Sequence, residues 1–224
     1  MRIVLRIGGS VIASPMNPEL ISKYSDLLTN LKNKGHELVV IVGGGKLARD
    51  LIDVAKKIGL GDDAQDRIAI SASRVFAQLF LERLNGASCR IIPTNLEEVE
   101  SYQNRGKIIV MGGLKPGMTT DSVAALVAER IKAHLILKAT DQDGIYDKDP
   151  KKYADAVKLD RLSLDDLSKV FAEDKHKAGI HQILDPEAVR ILSRNHVKVI
   201  VVNGFKPDNI LAAVNGKNIG TTIE

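Results

Sequence analysis

Three times in this chain an apolar run of strand character ends in consecutive glycines and gives way to a stretch with helical spacing of apolar residues. RIVLRI (2–7) runs into Gly8-Gly9-Ser10, Leu38 to Val42 runs into Gly43-Gly44-Gly45, and KIIVMGG (107–113) runs into LKPGMTTD. Alternation of this kind predicts parallel strands joined by crossover helices, hence an α/β, three-layer αβα architecture around a central, mostly parallel sheet.

Local signals sharpen the outline. Asn17 followed by Pro18 predicts a helix start, with Leu20, Tyr24, Leu27, Leu28 and Leu31 on one face and Gly35 at its end. After the triple glycine, Leu47, Leu51, Val54, Ala55 and Ile58 share a helical face that is expected to point inward, and Asp62, Asp63 and Asp66 are read as loop residues. A further helix is expected to open at Asp121, its N-cap, with Val123, Leu126, Val127 and Ile131 inward. Strands at Leu135–Ala139 and Val197–Val202, a polar loop at 140–150, a helix capped by Asp185-Pro186 and the tail GTTIE complete the series. No linker rich in Gly, Ser or Pro divides the 224 residues, so one domain with two lobes is expected.

Composition excludes several classes. No apolar run approaches the roughly 20 residues of a bilayer span, and the first residues enter a strand without a signal-peptide pattern; no membrane association and a cytoplasmic location are expected. A net charge of +4 invites nucleic acid as a partner. Lysines and arginines are nevertheless spread along the chain and no nucleic-acid motif occurs, so a small polyanionic ligand is the expected counterpart. The single cysteine, Cys89, sits in SCRIIP, read as a buried strand, and serves as a structural thiol. His36, His134, His176, His181 and His196 are scattered and suggest no zinc site; no residue is assigned to a metal.

Glycines where a strand feeds a helix let backbone N–H groups approach a ligand, and the helix N-terminus adds about half a positive charge. Each loop alone could be a ligand-free turn. Three of them at the carboxyl edge of one parallel sheet suggest a polyphosphate cradle. The stretch from Gly43 to Ala48 fits G-x-G-x-x-A, but no acidic residue stands at a following strand end to bind a dinucleotide ribose. G-x-x-x-x-G-K-[ST] is absent, which excludes an ordinary P-loop, and Asp141-x-Asp143-Gly144 is too short for a calcium loop.

In order along the chain, IGGS (7–10), GGGKLAR (43–49), MGGLKPGMTTD (111–121), KATDQDGIYDKDP (138–150) and LDPEAV (184–189) resemble the amino acid kinase family, and GGGKLAR with PGMTTD resembles its archaeal uridylate kinase branch. The resemblance implies the amino acid kinase fold, with an N-terminal lobe of about residues 1–133 binding the phosphate acceptor and a C-terminal lobe of about 134–224 binding ATP. It implies ATP near Gly9, Ser10, Gly45, Arg49, Thr140, Asp141, Tyr146 and Asp149. It implies UMP near Gly44, Asp66, Leu114, Lys115, Pro116, Gly117, Met118, Thr119 and Thr120, and catalytic roles for Arg6, Arg49 and Asp185. Thr119, Thr120 and the amides at the helix start suit a phosphate, and the Asp66 carboxylate suits ribose hydroxyls. Tyr146 either edges the adenine or fills a crevice beside the Asp143-Gly144 turn. Two positions depart from relatives: Gln182 stands where bacterial members carry lysine, and Phe76 where archaeal members usually carry asparagine.

The expected reaction is in-line transfer of the ATP γ-phosphoryl to UMP with Mg²⁺ held by the ATP phosphates and water, giving UDP for pyrimidine biosynthesis. The alternatives are a family member acting on isopentenyl phosphate, carbamate or acetylglutamate, or a nucleotide-binding sensor or storage protein without turnover. Isopentenyl phosphate kinases place histidine where Arg49 stands and want apolar walls instead of Asp66. Relatives assemble as hexamers, trimers of dimers, so a homo-oligomer is expected.

Overall fold

The computed structural model describes residues 1–167 and 184–224. Its strands are β1 (Arg2–Ile7), β2 (Glu37–Val42), β3 (Ile109–Met111), β4 (Leu135–Thr140), β5 (Ile145–Tyr146), β6 (Lys158–Leu159), β7 (Arg161–Leu162), β8 (Lys198–Asn203) and β9 (Thr221–Ile223). The α-helices are α1 (Gly9–Ile12), α2 (Pro18–Asn33), α3 (Gly45–Lys57), α4 (Asp62–Leu84), α5 (Leu96–Tyr102), α6 (Thr120–Ile131), α7 (Pro186–Asn195) and α8 (Asp208–Val214).

A seven-stranded sheet runs β3-β2-β1-β4-β8-β9-β7, and β5 and β6 form a separate ribbon. From β3 to β8 all pairings are parallel; β9 lies antiparallel to β8, so the tail makes the sheet mixed at that end. Residues within β1, β2, β4 and β8 are mostly apolar because both faces are covered. On one face Val4, Ile41 and Met111 pack with Val123 and Val127 of α6 and Val189 and Leu192 of α7. On the other, Leu5, Val40 and Val110 pack with Leu28 of α2, Phe76 and Phe80 of α4 and Ile210 of α8. Phe76 is thus a core residue, 1% exposed.

The chain moves outward from β1 through β2 to β3 and then returns to the other side of β1 with β4. That reversal of strand order opens a crevice above the carboxyl ends of β1 and β4, the place where open α/β sheets hold ligands.

Three local expectations need correction. SCRIIP is not a strand: Ser88 makes only an isolated parallel bridge to Ile108, although Cys89 is buried, and burial pushes its thiol pKa up. Asp62, Asp63 and Asp66 lie in the first turns of α4, not in a loop; Gly61 is extended and ends the turn, and the acidic residues favour the positive end of the helix. Finally, the apolar face of α3 does not turn inward as a whole. Ala48 and Ala55 are buried, but Leu51, Val54 and Ile58 are exposed because α3 packs chiefly on α4 and not on the sheet.

Candidate active site

The first two glycine loops meet backbone to backbone. Gly8 N–H donates to Ala139 O (2.9 Å) and Gly43 N–H to Ile7 O (3.1 Å), which ties both loops to the central strands. A Cβ on Gly9 would lie 2.1 Å from Gly45 N, and Gly45 has φ +57°, so neither position tolerates a side chain. On α3, Arg49 is exposed and its guanidinium donates to Ser14 Oγ (3.1 Å).

Arg6 and Lys138 are register partners on β1 and β4. Both share the sheet face of Val4 and Ile136, which packs against α6. Between them stands Asp121: Oδ1 is 3.0 Å from Arg6 Nε and Oδ2 is 2.5 Å from Lys138 Nζ, and the Asp121 side chain is only 13% exposed. The Arg6 guanidinium also donates to Thr120 Oγ1 (3.0 Å) and reaches beneath Gly8, where an added Cβ would meet it at 2.9 Å. Burial works to raise the Asp121 pKa, but Arg6 and Lys138 outweigh it and hold the carboxyl below its usual value. Burial lowers Lys138 to about 8, with the Asp121 carboxylate opposing the change. Two cations thus face one carboxylate in contact, with Asp185 acting on Lys138 from farther off.

Asp121 is therefore not the N-cap of α6. Thr119 is: its hydroxyl accepts from the amides of Asp121 and Ser122, both at 3.1 Å, while Asp121 is drawn inward by the two cations. Asp185 does cap α7, accepting from Ala188 N (2.9 Å). The same carboxylate takes the hydroxyl of Thr119 (2.5 Å) and that of Ser122 (2.8 Å), so one side chain fastens the N-termini of α6 and α7 together.

Beside the α6 N-terminus opens a cleft of about 170 Å³ lined by Gly44, Ala48, Asp66, Ala69, Ile70, Ser73, Gly113, Lys115, Met118, Thr119 and Thr120. Its far wall is held by α4. Asp66 accepts from Gly117 N (2.6 Å), Ser73 Oγ from Gly113 N (2.8 Å), and Arg74 donates to the carbonyls of Gly113 and Leu114. Leu114, Pro116 and Gly117 do not line the cleft but belong to the loop that closes it. Across the crevice, Thr140 Oγ1 lies 3.3 Å from Asp141, Lys151 Nζ lies 2.9 Å from Asp141, and buried Asp149 accepts from Lys151 N (2.9 Å). Tyr146 is half-buried on β5, which pairs with β6 and is not half of a tight hairpin.

The structure thus brings Gly44, Asp66, Lys115, Met118, Thr119 and Thr120 to one cleft, and sets Gly9, Ser10, Gly45, Arg6, Asp185 and the 140–149 loop around the same sheet edge. The sequence reading missed Lys138, Ser73 and Arg74. A lysine inside the apolar strand LILKAT was the available signal for the first, on the same grounds that picked out Arg6. Gln182, His176 and His181 lie outside the described residues, among which no three Asp, Glu, His or Cys side chains gather to hold a metal.

Comparison with known proteins agrees with this fold. The amino acid kinase family matches residues 1–203. The uridylate kinase of Methanocaldococcus jannaschii is 41% identical, covering all of both chains, and that of Methanobrevibacter smithii 36%, covering 100% of this chain and 99% of the relative. The chain belongs to the amino acid kinase family. Among solved structures of that fold, the uridylate kinase of Archaeoglobus fulgidus superposes with a TM-score of 0.89 at 36% identity over the full length of both chains. The UMP kinase of Bacillus anthracis gives 0.85 at 19% identity over all of this chain and 95% of that one, a likeness of fold.

Proposed function

We propose that this chain transfers the γ-phosphoryl group of ATP to UMP, yielding UDP and ADP. The observation that carries the reading is the cleft at the α6 N-terminus, which Thr119 and Thr120 line together with Asp66 and which adjoins the buried Arg6–Asp121–Lys138 corner through the Arg6–Thr120 hydrogen bond. A phosphate fits the helix start and a ribose hydroxyl can donate to Asp66. Full-length likeness to archaeal uridylate kinases supports the choice of acceptor.

In this reading a UMP phosphate oxygen forms a bond to the γ-phosphorus while the bond to the bridging β–γ oxygen breaks, and ADP leaves with the electron pair. No general base is needed, since a phosphate monoester with a second pKa of about 6 is largely dianionic at neutral pH. The chain's task is to bring two polyanions together. Arg6 and Lys138 offer charge from the sheet, Arg49 from α3, and the N-termini of α1, α3 and α6 offer amides. Asp121 keeps the two sheet cations aimed; Asp185 holds the α6 N-terminus in place. Mg²⁺ is treated as part of the substrate, Mg-ATP, for the described residues offer no cage of their own. Its charge adds to that of the arginines in screening the phosphates.

Residues up to about 133 hold the acceptor and those from about 134 the nucleoside of ATP, near Thr140, Asp141, Tyr146 and Asp149, while the ATP phosphates reach across to Gly9, Ser10, Gly45 and Arg49. We also place a contact between subunits of a homo-oligomer on α3 and α4, where Leu51, Val54, Ile58, Val75 and Leu79 are 37–68% exposed. Ile58→Glu is expected to shift the mass by light scattering to a smaller species; an unchanged mass would exclude this face.

The activity is tested by ADP release from Mg-ATP with UMP, CMP, isopentenyl phosphate, carbamate or acetylglutamate as acceptor. UMP should give the highest kcat/KM by at least tenfold. Preference for another acceptor would move the chain to a different kinase, and no release with any of them would favour a nucleotide sensor.

A further inference from the structure

We infer that Ser14 is a positioning residue that sets Arg49 for phosphoryl transfer, an inference that rests on the kinase reading above. Ser14 follows α1 and sits half-buried where the first and second glycine loops meet. Its hydroxyl donates to Gly9 O (3.2 Å) and accepts from Lys46 N (2.8 Å) and from the Arg49 guanidinium (3.1 Å). A serine hydroxyl has one donor and two acceptor sites, so every site is in use and its orientation is fixed. The three partners belong to the first glycine loop, the start of α3 and the side chain proposed to screen the phosphates.

Among the described residues Ser14 Oγ is the sole hydrogen-bond partner of the Arg49 guanidinium. An exposed arginine on its own samples many rotamers, and a single charge-assisted bond to a fixed hydroxyl narrows that set toward the glycine loops. Lys46 N is shared between Ser14 Oγ and Ala13 O (3.1 Å), so Ser14 also ties the start of α3 to the end of α1, and Arg49 can meet a phosphate there only with its side chain. The effect belongs to turnover more than to ground-state binding, because orientation at the reacting group lowers the barrier and adds little to nucleotide affinity.

A double-mutant cycle tests this. Ser14→Ala is expected to lower kcat for UMP by about tenfold, with KM for ATP and UMP changed less than about threefold, and Ser14→Thr, which keeps the hydroxyl, to recover most of the loss. In an Arg49→Ala background the same Ser14→Ala change should cost less than about twofold, since the group it positions is gone. Equal losses in both backgrounds, with thermal unfolding unchanged, would show that Ser14 merely knits the loops and would overturn the inference. So would a Ser14→Ala enzyme with wild-type kcat. A wild-type chain without turnover on any acceptor would instead remove the kinase reading, and the positioning role with it.

Discussion

The charged groups on the two sides of the crevice are organised differently. At the α6 side, Arg6, Asp121 and Lys138 come from three separate stretches of chain and are 4–17% exposed as side chains. On the opposite side, Asp141 pairs with Lys151 only ten residues away, and the lysine side chain is 66% exposed. Long-range buried pairs form only when the sheet is complete, so the first set is fixed by the fold before any ligand arrives. Local exposed pairs can exchange partners with water or phosphate at small cost. The contrast teaches that the proposed acceptor side is pre-organised, whereas the proposed donor loop spends its charges on its own turn.

The strongest way to break the contrast is Asp121→Asn. Removing the carboxylate leaves the Arg6 and Lys138 cations facing each other without a counter-charge, which costs roughly 3 kcal/mol, and turnover should fall by about 10²-fold or more. Urea unfolding with ADP release would check both, and a loss of activity without loss of stability would contradict the buried role. Arg49→Ala should separate the two quantities the other way: turnover lower by about 10²-fold, stability within about 0.5 kcal/mol, because the side chain is exposed.

Lys138 also gives a pH test with two signs. Its folded value of about 8 lies below the ordinary 10.5, so between these limits the unfolded chain holds the extra proton and this group makes the folded state gain stability as pH rises. Below about 8 its cost is constant. Turnover should do the reverse and fall as pH climbs through about 8, when the cation is lost. Parallel pH profiles of kcat and of unfolding would show whether they diverge. The smallest effect belongs to the donor loop: Lys151→Ala should change stability by less than about 0.5 kcal/mol, measured by urea unfolding, since the pair is solvent-screened.

Much of the fold was legible because the glycine loops punctuate β1, β2 and β3 and because Asn17 and Asp185, each followed by proline, mark helix starts that the structure keeps. The site was legible where backbone chemistry decides it, as at the α6 N-terminus. It was less so where the outcome depends on what lies across the sheet. Asp121 at a helix start looks like a cap from sequence, and only the register pairing of Arg6 with Lys138 turns it into a buried counter-charge. Thr119 then takes the cap two residues earlier. The apolar face of α3 has the right period for a core, but periodicity does not say what a face packs against, and Leu51 and Val54 remain exposed on it.

The most direct test is a crystal structure with UMP and a non-hydrolysable ATP analogue bound together. The UMP phosphate is expected at the amides of the α6 N-terminus, in line with a γ-phosphate above Gly8 to Ser10 and flanked by Arg6, Lys138 and Arg49. Nucleotides seated away from this corner, or phosphorus atoms too far apart for direct transfer, would contradict it.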